Sequence, residues 1–339
     1  MSRVLVMMSG GVDSSVAAAV LQAEGHDVTG VTLKLWGGES DSGCCSAADV
    51  EDARRVAAQL GIPHYVFNFS DDFDTNVVTP YVSAYSAGET PNPCVECNRT
   101  MKFGRLLERA DQLGFEEVAT GHHARVVDSV HGRAIARGLD SGKDQSYVLY
   151  MLGRREIDRT RLPIGEMTKA EVRARAHELG LRTAGKPESM DVCFITSGGR
   201  SAFLGNRIER HPGAIVDATG AVVGAHDGID AFTIGQRRGT GVAMGERRYV
   251  VDITPATATV TLGRREELLR DHVRLRDMKF LAPPPAEVIV QTRAHAVPVS
   301  ARLEGDTVWF RAPQPRVAPG QVVACYDGDV LLGGGIAAG

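Results

Sequence analysis

The chain has 339 residues, 43% hydrophobic and 24% charged, a globular composition that excludes a disordered or collagen-like protein and predicts two or three domains at roughly 150 residues each. No apolar run approaches the roughly 18 residues of a membrane span, and the five-residue run 4–8 is too short for a signal peptide's apolar region, so the expectation is a cytoplasmic protein with no membrane partner. The formal net charge of −4 hides an asymmetry: residues 1–90 carry 4 Lys/Arg against 12 Asp/Glu, whereas 151–186 carry 9 against 5, which reads either as a polyanion site on the later part of the chain or as solvated helix faces.

In chain order, residues 4–8 read as a buried strand, 14–23 as a helix and 28–35 as a second strand. Residues 47–60 have helical spacing, with Gly61 and Pro63 as stop signals. Residues 65–69 read as a third strand, 101–113 as a helix closed by Gly114, and 117–120 as a fourth strand. This βαβα order predicts a doubly wound parallel sheet with its site at the carboxyl ends of the strands. A polar hairpin pattern follows over 125–137, then a helix over 168–179. From about residue 200 Gly, turns and short β-branched runs take over, and 288–292, 307–310 and 322–326 read as strands of a small barrel or sandwich.

Ser9-Gly10-Gly11-Val12-Asp13-Ser14-Ser15 lies between the first strand and the first helix. A Gly-rich turn there can bring backbone N–H groups onto one anion, and the helix N-terminus adds its partial positive charge. Ser14 and Ser15 can cap the helix or touch phosphate; Asp13 can hold Mg²⁺ or fix the loop. Gly-x-x-x-x-Gly-Lys-Ser/Thr does not occur, so this is not the loop of ordinary P-loop ATPases.

Six cysteines, Cys44, Cys45, Cys94, Cys97, Cys193 and Cys325, are too few for a disulfide scaffold and point to buried, catalytic or metal-binding thiols. Cys94-x-x-Cys97 sits in a Pro-rich stretch before a helix, where the helix N-terminus and Arg99 are expected to favour thiolate. Half a zinc site is the competing reading, but no second Cys-x-x-Cys or His-x-x-x-His completes it. Cys193, in Ser189-Met190-Asp191-Val192-Cys193-Phe194-Ile195, would by itself be read as a buried thiol. Cys44-Cys45 receive no role.

The 9–15 segment resembles the PP-loop of ATP pyrophosphatases, which implies cleavage of ATP between its α and β phosphates and transfer of AMP to an acceptor oxygen. Taken with 92–98 followed by Met101-Lys102-Phe103, Gly121-His122, Lys143-Asp144-Gln145-Ser146-Tyr147, Cys193-Phe194-Ile195, 232–239, Pro319-Gly320-Gln321 and 332–336, the chain is similar over nearly its whole length to the tRNA-specific 2-thiouridylases. The resemblance implies a PP-loop α/β domain over 1–198, a small central domain over 199–270 and a C-terminal β-barrel over 271–339. It implies ATP contacts from Met7, Met8, Ser9, Gly10, Gly11, Val12, Asp13, Ser14, Leu33 and Gly121. Asn92, Pro93 and Cys94 would flank the target base, and His122, Lys143, Asp144, Gln145 and Gln321 would touch tRNA. Cys97 would be the nucleophile and Cys193 the persulfide carrier. The chain departs from the family pattern at Cys94, where many members have Asp, and at Arg293-Ala294-His295, where the family has Arg-Tyr-Arg.

Oxygen O2 of a uracil is a poor leaving group, and adenylating it lets AMP depart in its place. The PP-loop and Mg²⁺ would stabilise the departing pyrophosphate. A Cys193 persulfide can attack C2, and Cys97 can then cleave the S–S bond. A wobble uridine in a single-stranded anticodon loop is cheap to extrude. The implied partners are tRNA with a wobble uridine and a persulfide-carrying sulfur donor protein. Three further readings stay open at this point. Cys94, Cys97 and Cys193 could hold an iron–sulfur cluster with one open iron; the chain could be another PP-loop adenylating enzyme, such as a lysidine synthase; or it could be a zinc-bearing tRNA-binding module.

Overall fold

The computed structural model describes residues 1–35, 46–187, 192–195, 199–294 and 296–339. Trp36, Cys44-Cys45, residues 189–191 and His295 lie outside them. Among the described residues three sheets form. The first is fully parallel and built from β1 (Arg3–Met7), β2 (Asp27–Lys34), β3 (His64–Asn68), β4 (Glu117–Ala119) and the short strand Thr160–Arg161, in the order β3-β2-β1-β4-Thr160–Arg161. Successive strands run outward from β1 on one side and then resume on the other. The crevice beyond the carboxyl ends of β1 and β4 is therefore a topological switch point, where an open α/β sheet binds its ligand.

Helix α1 (Val12–Ala23) follows β1 directly and buries Val12, Val16, Ala17, Ala18 and Leu21. Helix α2 (Ala47–Leu60) starts with a reciprocal cap between Ser46 and Asp49 and stops at Gly61, whose φ of 68° gives it a left-handed C-cap. Both termini are legible in the sequence. The chain is helical over 70–86 although Val77, Val78, Thr79 and Pro80 are poor helix formers. Tertiary packing overrides that preference: Phe73, Val77, Val78, Tyr81 and Tyr85 are buried along the run. The chain is helical again from Pro93 to Arg105. Pro93 takes the first helical position of Pro93–Glu96, where its missing N–H costs nothing, and the Asn92 side chain accepts the Cys94 N–H at 3.1 Å. From Cys97 to Arg105 the helix widens to i→i+5 bonding, a geometry that recurs at functional sites.

A second sheet pairs Tyr249–Thr254, Thr259–Gly263, Gly213–Asp217 and Val222–His226 in that order, over a core of Ile215, Phe232, Val250, Val260 and Leu262. The third has eight strands; six of them, Leu269–Phe280, Thr307–Pro315, Val299–Glu304, Glu287–Gln291, Val322–Asp327 and Val330–Ala337, form a barrel in which the last pairs back onto the first. Closing the barrel removes both exposed edges.

The barrel is joined to the first unit more tightly than its sequence texture suggests. The hairpin Ala124–Ser129 and Gly132–Arg137 extends the barrel sheet through Val330 opposite Ala136. Val322, Ala324, Tyr326 and Leu331 of the barrel share one hydrophobic core with Leu33, Cys97, Met101 and Tyr147.

The basic stretch 151–186 turns out to be internally paired. Lys169 binds Asp13, Lys186 binds Asp49 and Asp52, Arg182 binds Asp52, Arg155 and Arg159 bind Asp111, and Arg161 binds Glu117. Arg154 and Arg173 donate to backbone carbonyls, and Arg175 pairs with Glu178. Much of this excess positive charge answers the acidic side chains of the first 120 residues.

Candidate active site

The loop leaving β1 is held open by backbone and hydroxyl contacts. The Ser14 hydroxyl accepts the Ser9 N–H at 3.1 Å, and the Ser14 and Ser15 hydroxyls donate to the Gly11 carbonyl at 3.2 and 2.8 Å. The N-cap position is Gly11, which supplies no side-chain cap. The first N–H groups of α1, which have no partner within the helix, thus face the crevice without a capping oxygen. The serines brace the loop from behind rather than cap it.

Two glycines are demanded by close approach. Gly10 has φ +73°, and a Cβ there would lie 2.3 Å from the Asp49 carbonyl oxygen at the start of α2. At Gly121, just past β4, a Cβ would lie 2.6 Å from the Ser14 nitrogen and 2.7 Å from the Asp13 carbonyl carbon. Gly121 therefore lets the end of β4 touch the first turn of α1. Lys186 ties the opposite side: its Nζ donates to the Gly10 carbonyl at 3.0 Å, to Asp49 at 2.6 Å and to Asp52 at 2.8 Å.

Asp13 carries the charge arrangement of the site. Lys169 Nζ lies 2.7 Å from both carboxylate oxygens, and His123 Nε2 lies 3.3 Å from one of them. Burial opposes ionisation of Asp13, but the hydrogen bonds from His123 and Lys169 outweigh it and hold the carboxyl below its usual range. These contacts tie the loop to Lys169 and His123. Among the described residues no group of three or more His, Cys, Asp or Glu side chains is placed to hold a metal ion.

Cys97 is buried, and Cys94 and Cys193 are half-buried. Cys193 packs against the core that contains Cys97. Its neighbour Phe194 stacks edge-on with Phe73 at 5.6 Å and Tyr81 at 5.3 Å, so the helical run over 70–86 is what seats the Cys193 segment. Arg99, expected beside a thiol, binds Glu96 at 3.0 Å. Cys325 lies in the barrel core, where burial pushes its thiol up to about 12, and it is chemically inert.

Met8 and Val12 are buried, Met7 is half-buried, and Leu33 sits in the core near the end of β2. Pro93 is buried and Asn92 half-buried. His122 is buried, with Nδ1 2.7 Å from the Thr120 hydroxyl and its ring 6.0 Å from that of Phe103. Of the 143–145 segment, Lys143 is half-buried and Gln145 exposed, with the Gln145 side-chain oxygen Oε1 accepting the His123 N–H at 2.9 Å. Asp144 is buried and satisfied within the protein: it accepts from the Gly138 and Ser146 amides at 3.0 Å, from the Ser146 hydroxyl at 2.9 Å and from Arg137 at 3.2 Å. In this structure its carboxylate shapes the segment from beneath. Gln321 donates to the Thr90 carbonyl.

Residues 2–197 match the family described as the tRNA methyl transferase HUP domain, 201–264 the tRNA methyl transferase PRC-barrel domain, and 270–337 the aminomethyltransferase beta-barrel domain. The chain is 46% identical over 370 residues to a tRNA-specific 2-thiouridylase MnmA of Roseiflexus sp., covering 99% of each chain. It is 48% identical over 353 residues to that of Chloroflexus aggregans, covering 99% of this chain and 98% of the other. The chain belongs to the tRNA-specific 2-thiouridylase family. Within that framework sequence reasoning missed Lys169, Lys186 and His123. The first two were visible only as members of a basic stretch, and His123 only as the neighbour of His122.

His122 gives a pH prediction. Burial is the main reason its imidazole is held well below 6.5, with Lys102 and His123 adding to it. Below pH 6.5 the unfolded chain protonates this residue while the folded one does not, so the unfolded state binds more protons. Stability should therefore be fully present above that pH and fall as pH drops toward the folded pKa. Urea midpoints measured from about pH 7.5 to 5 should fall less steeply in His122→Gln than in wild type; identical slopes would assign the acid sensitivity elsewhere.

Proposed function

We propose that the chain is an ATP-dependent sulfurtransferase that replaces O2 of the wobble uridine of tRNA with sulfur, releasing AMP and pyrophosphate. The observation that carries this reading is similarity, over 99% of the chain, to enzymes named for tRNA 2-thiolation. The geometry fits it. The α1 N-terminus and the glycine-lined loop offer an anion cradle at the switch point, and the Cys97 and Cys193 segments share the adjoining core.

In this reading the loop residues Ser9 to Ser14 and Gly121 enclose the triphosphate of Mg-ATP, with Met7, Met8 and Leu33 toward the nucleotide. Magnesium, brought by the nucleotide, neutralises phosphate charge. Lys169 is close enough to the loop to face a developing pyrophosphate charge. Uracil O2 attacks the α phosphate and pyrophosphate leaves. The terminal sulfur of a Cys193 persulfide then attacks C2, and AMP departs with the oxygen and the C–O electron pair. Cys97 thiolate attacks the Cys193 sulfur, and the S–S electron pair passes to the sulfur on C2, leaving 2-thiouridine. The remaining Cys97–Cys193 disulfide is reduced by an external dithiol, and a persulfide-carrying donor protein reloads Cys193.

Asn92, Pro93 and Cys94 would flank the extruded base, with His122, Lys143 and Gln145 toward the tRNA. Among the described residues no helix is long and apolar enough to cross a membrane, and reduced thiols with a tRNA substrate fit work in the cytoplasm.

The test is nucleoside mass spectrometry on unmodified wobble-uridine tRNA, incubated with the protein, Mg-ATP, a sulfur source and reductant. 2-Thiouridine should appear only when ATP is present. AMP transfer to tRNA without any sulfur incorporation would favour another PP-loop adenylating enzyme.

A further inference from the structure

The segment that carries Cys94 and Cys97 is gripped by the barrel. The Thr90 N–H donates to the Pro319 carbonyl at 2.7 Å, and the Gln321 carboxamide donates to the Thr90 carbonyl, so one residue of the cysteine loop is held from both sides of its backbone. Just before it, Glu89 is bound by Arg276 of the first barrel strand at 2.6 Å. The turn that does the gripping is itself anchored: the Gly320 N–H donates to the Ala337 carbonyl at 3.0 Å, and the Ala337 N–H to the Gln321 carbonyl at 2.8 Å. Gly320 has φ +86°, and a Cβ there would lie 3.1 Å from the Glu89 Cβ and 3.2 Å from the Pro91 nitrogen.

The path from this grip to the thiols is short and stiff. Pro91 and Pro93 each have φ locked by their rings. Asn92 between them caps the Cys94 amide, and Val95 and Cys97 are buried beyond it. A displacement of Thr90 therefore has few torsions in which to dissipate before it reaches Cys97.

We propose that Gln321 is a positioning residue: acting with the Pro319-Gly320 turn through Thr90, it sets the placement of the Cys94–Cys97 segment, and its contribution to catalysis does not depend on touching tRNA. This deepens the proposed function and rests on it. Loss of this hydrogen bond removes a constraint on thiol geometry, where a misplacement of about 1 Å can cost on the order of 100-fold in rate.

The experiment compares wild type, Gln321→Leu and Gly320→Ala, with two readouts. The first is steady-state 2-thiouridine formation with tRNA as the varied substrate. The second is the rate of Cys97 alkylation by iodoacetamide without tRNA, followed by peptide mass spectrometry. Gln321→Leu should lower kcat by about tenfold with KM for tRNA within about twofold of wild type, and should change the Cys97 alkylation rate. Gly320→Ala leaves the carboxamide in place but presses on the same segment, and should change both readouts in the same way. A tenfold rise in KM at unchanged kcat, with unaltered alkylation, would make Gln321 a tRNA contact and overturn the proposal. Wild-type values for both readouts in both variants would overturn it as well. If wild type itself made no 2-thiouridine, the proposed function would fail, while the alkylation rates would still report whether the grip places Cys97.

Discussion

Cys193→Ser and Cys97→Ser should each reduce 2-thiouridine formation by more than about 1,000-fold while tRNA-dependent pyrophosphate release persists. In the proposed reaction the two halves use different parts of the protein. Adenylation would use the loop after β1 and its contact with Gly121, neither of which involves a thiol. Sulfur transfer needs a residue that carries sulfane sulfur and a second thiolate that cleaves it, and serine can do neither at neutral pH. Cys97 is 6% exposed, so its hydroxyl replacement is buried and should cost about 1 kcal/mol, visible as a melting point lower by a few degrees with the fold intact. The measurement is paired: nucleoside mass spectrometry for sulfur and pyrophosphate release for adenylation, on the same samples. Undiminished thiolation in Cys193→Ser would remove the persulfide route. Loss of pyrophosphate release in a folded variant would mean that the thiols act earlier than proposed.

Gly121→Ala should lower ATP turnover by about 100-fold and destabilise the protein by about 1–3 kcal/mol. The added methyl meets the Ser14 nitrogen at 2.6 Å, the Asp13 carbonyl carbon at 2.7 Å and the Ser14 Cα at 3.0 Å. All three are backbone atoms, and no flexible side chain can swing aside. Relief must come from separating β4 and α1, which opens the cradle and pulls Asp13 from Lys169 and His123. Gly11→Ala is the control, because its Cβ would meet only the Ser9 hydroxyl oxygen at 3.6 Å and should leave the melting temperature of the nucleotide-free protein unchanged. Thermal melts together with kcat and KM for ATP decide the matter. A Gly121→Ala protein that melts and turns over like wild type would show that the β4–α1 contact is not needed.

Much of the architecture was encoded in short windows. The Ser46–Asp49 cap and Gly61 delimit α2 at its predicted residues, because caps and left-handed stops are local chemistry. The alternation of apolar runs and helical spacing yields β1 to β4, and the Gly-rich turn between β1 and α1 marks the site through the steric needs of an anion. The cysteine spacing and the remaining motifs were likewise legible as candidates for thiol and tRNA chemistry.

What the sequence could not specify are the meetings of residues far apart in the chain. Asp13 pairs with Lys169 across 156 positions and Lys186 with Asp49 across 137, so a basic stretch that looked available for a polyanion is largely occupied in holding the acidic first domain. The 70–86 helix forms against its own propensities because it buries Phe73, Tyr81 and Tyr85 and seats Phe194, hence Cys193. Asp144 turns inward to satisfy buried amides, and Gln321 reaches back 231 positions to Thr90. Local periodicity and turn chemistry select the elements, but only the packed topology decides which charges neutralise one another, which polar groups are buried and which surface holds the cysteine loop. Those outcomes depend on desolvation and on contacts that no single stretch of sequence contains.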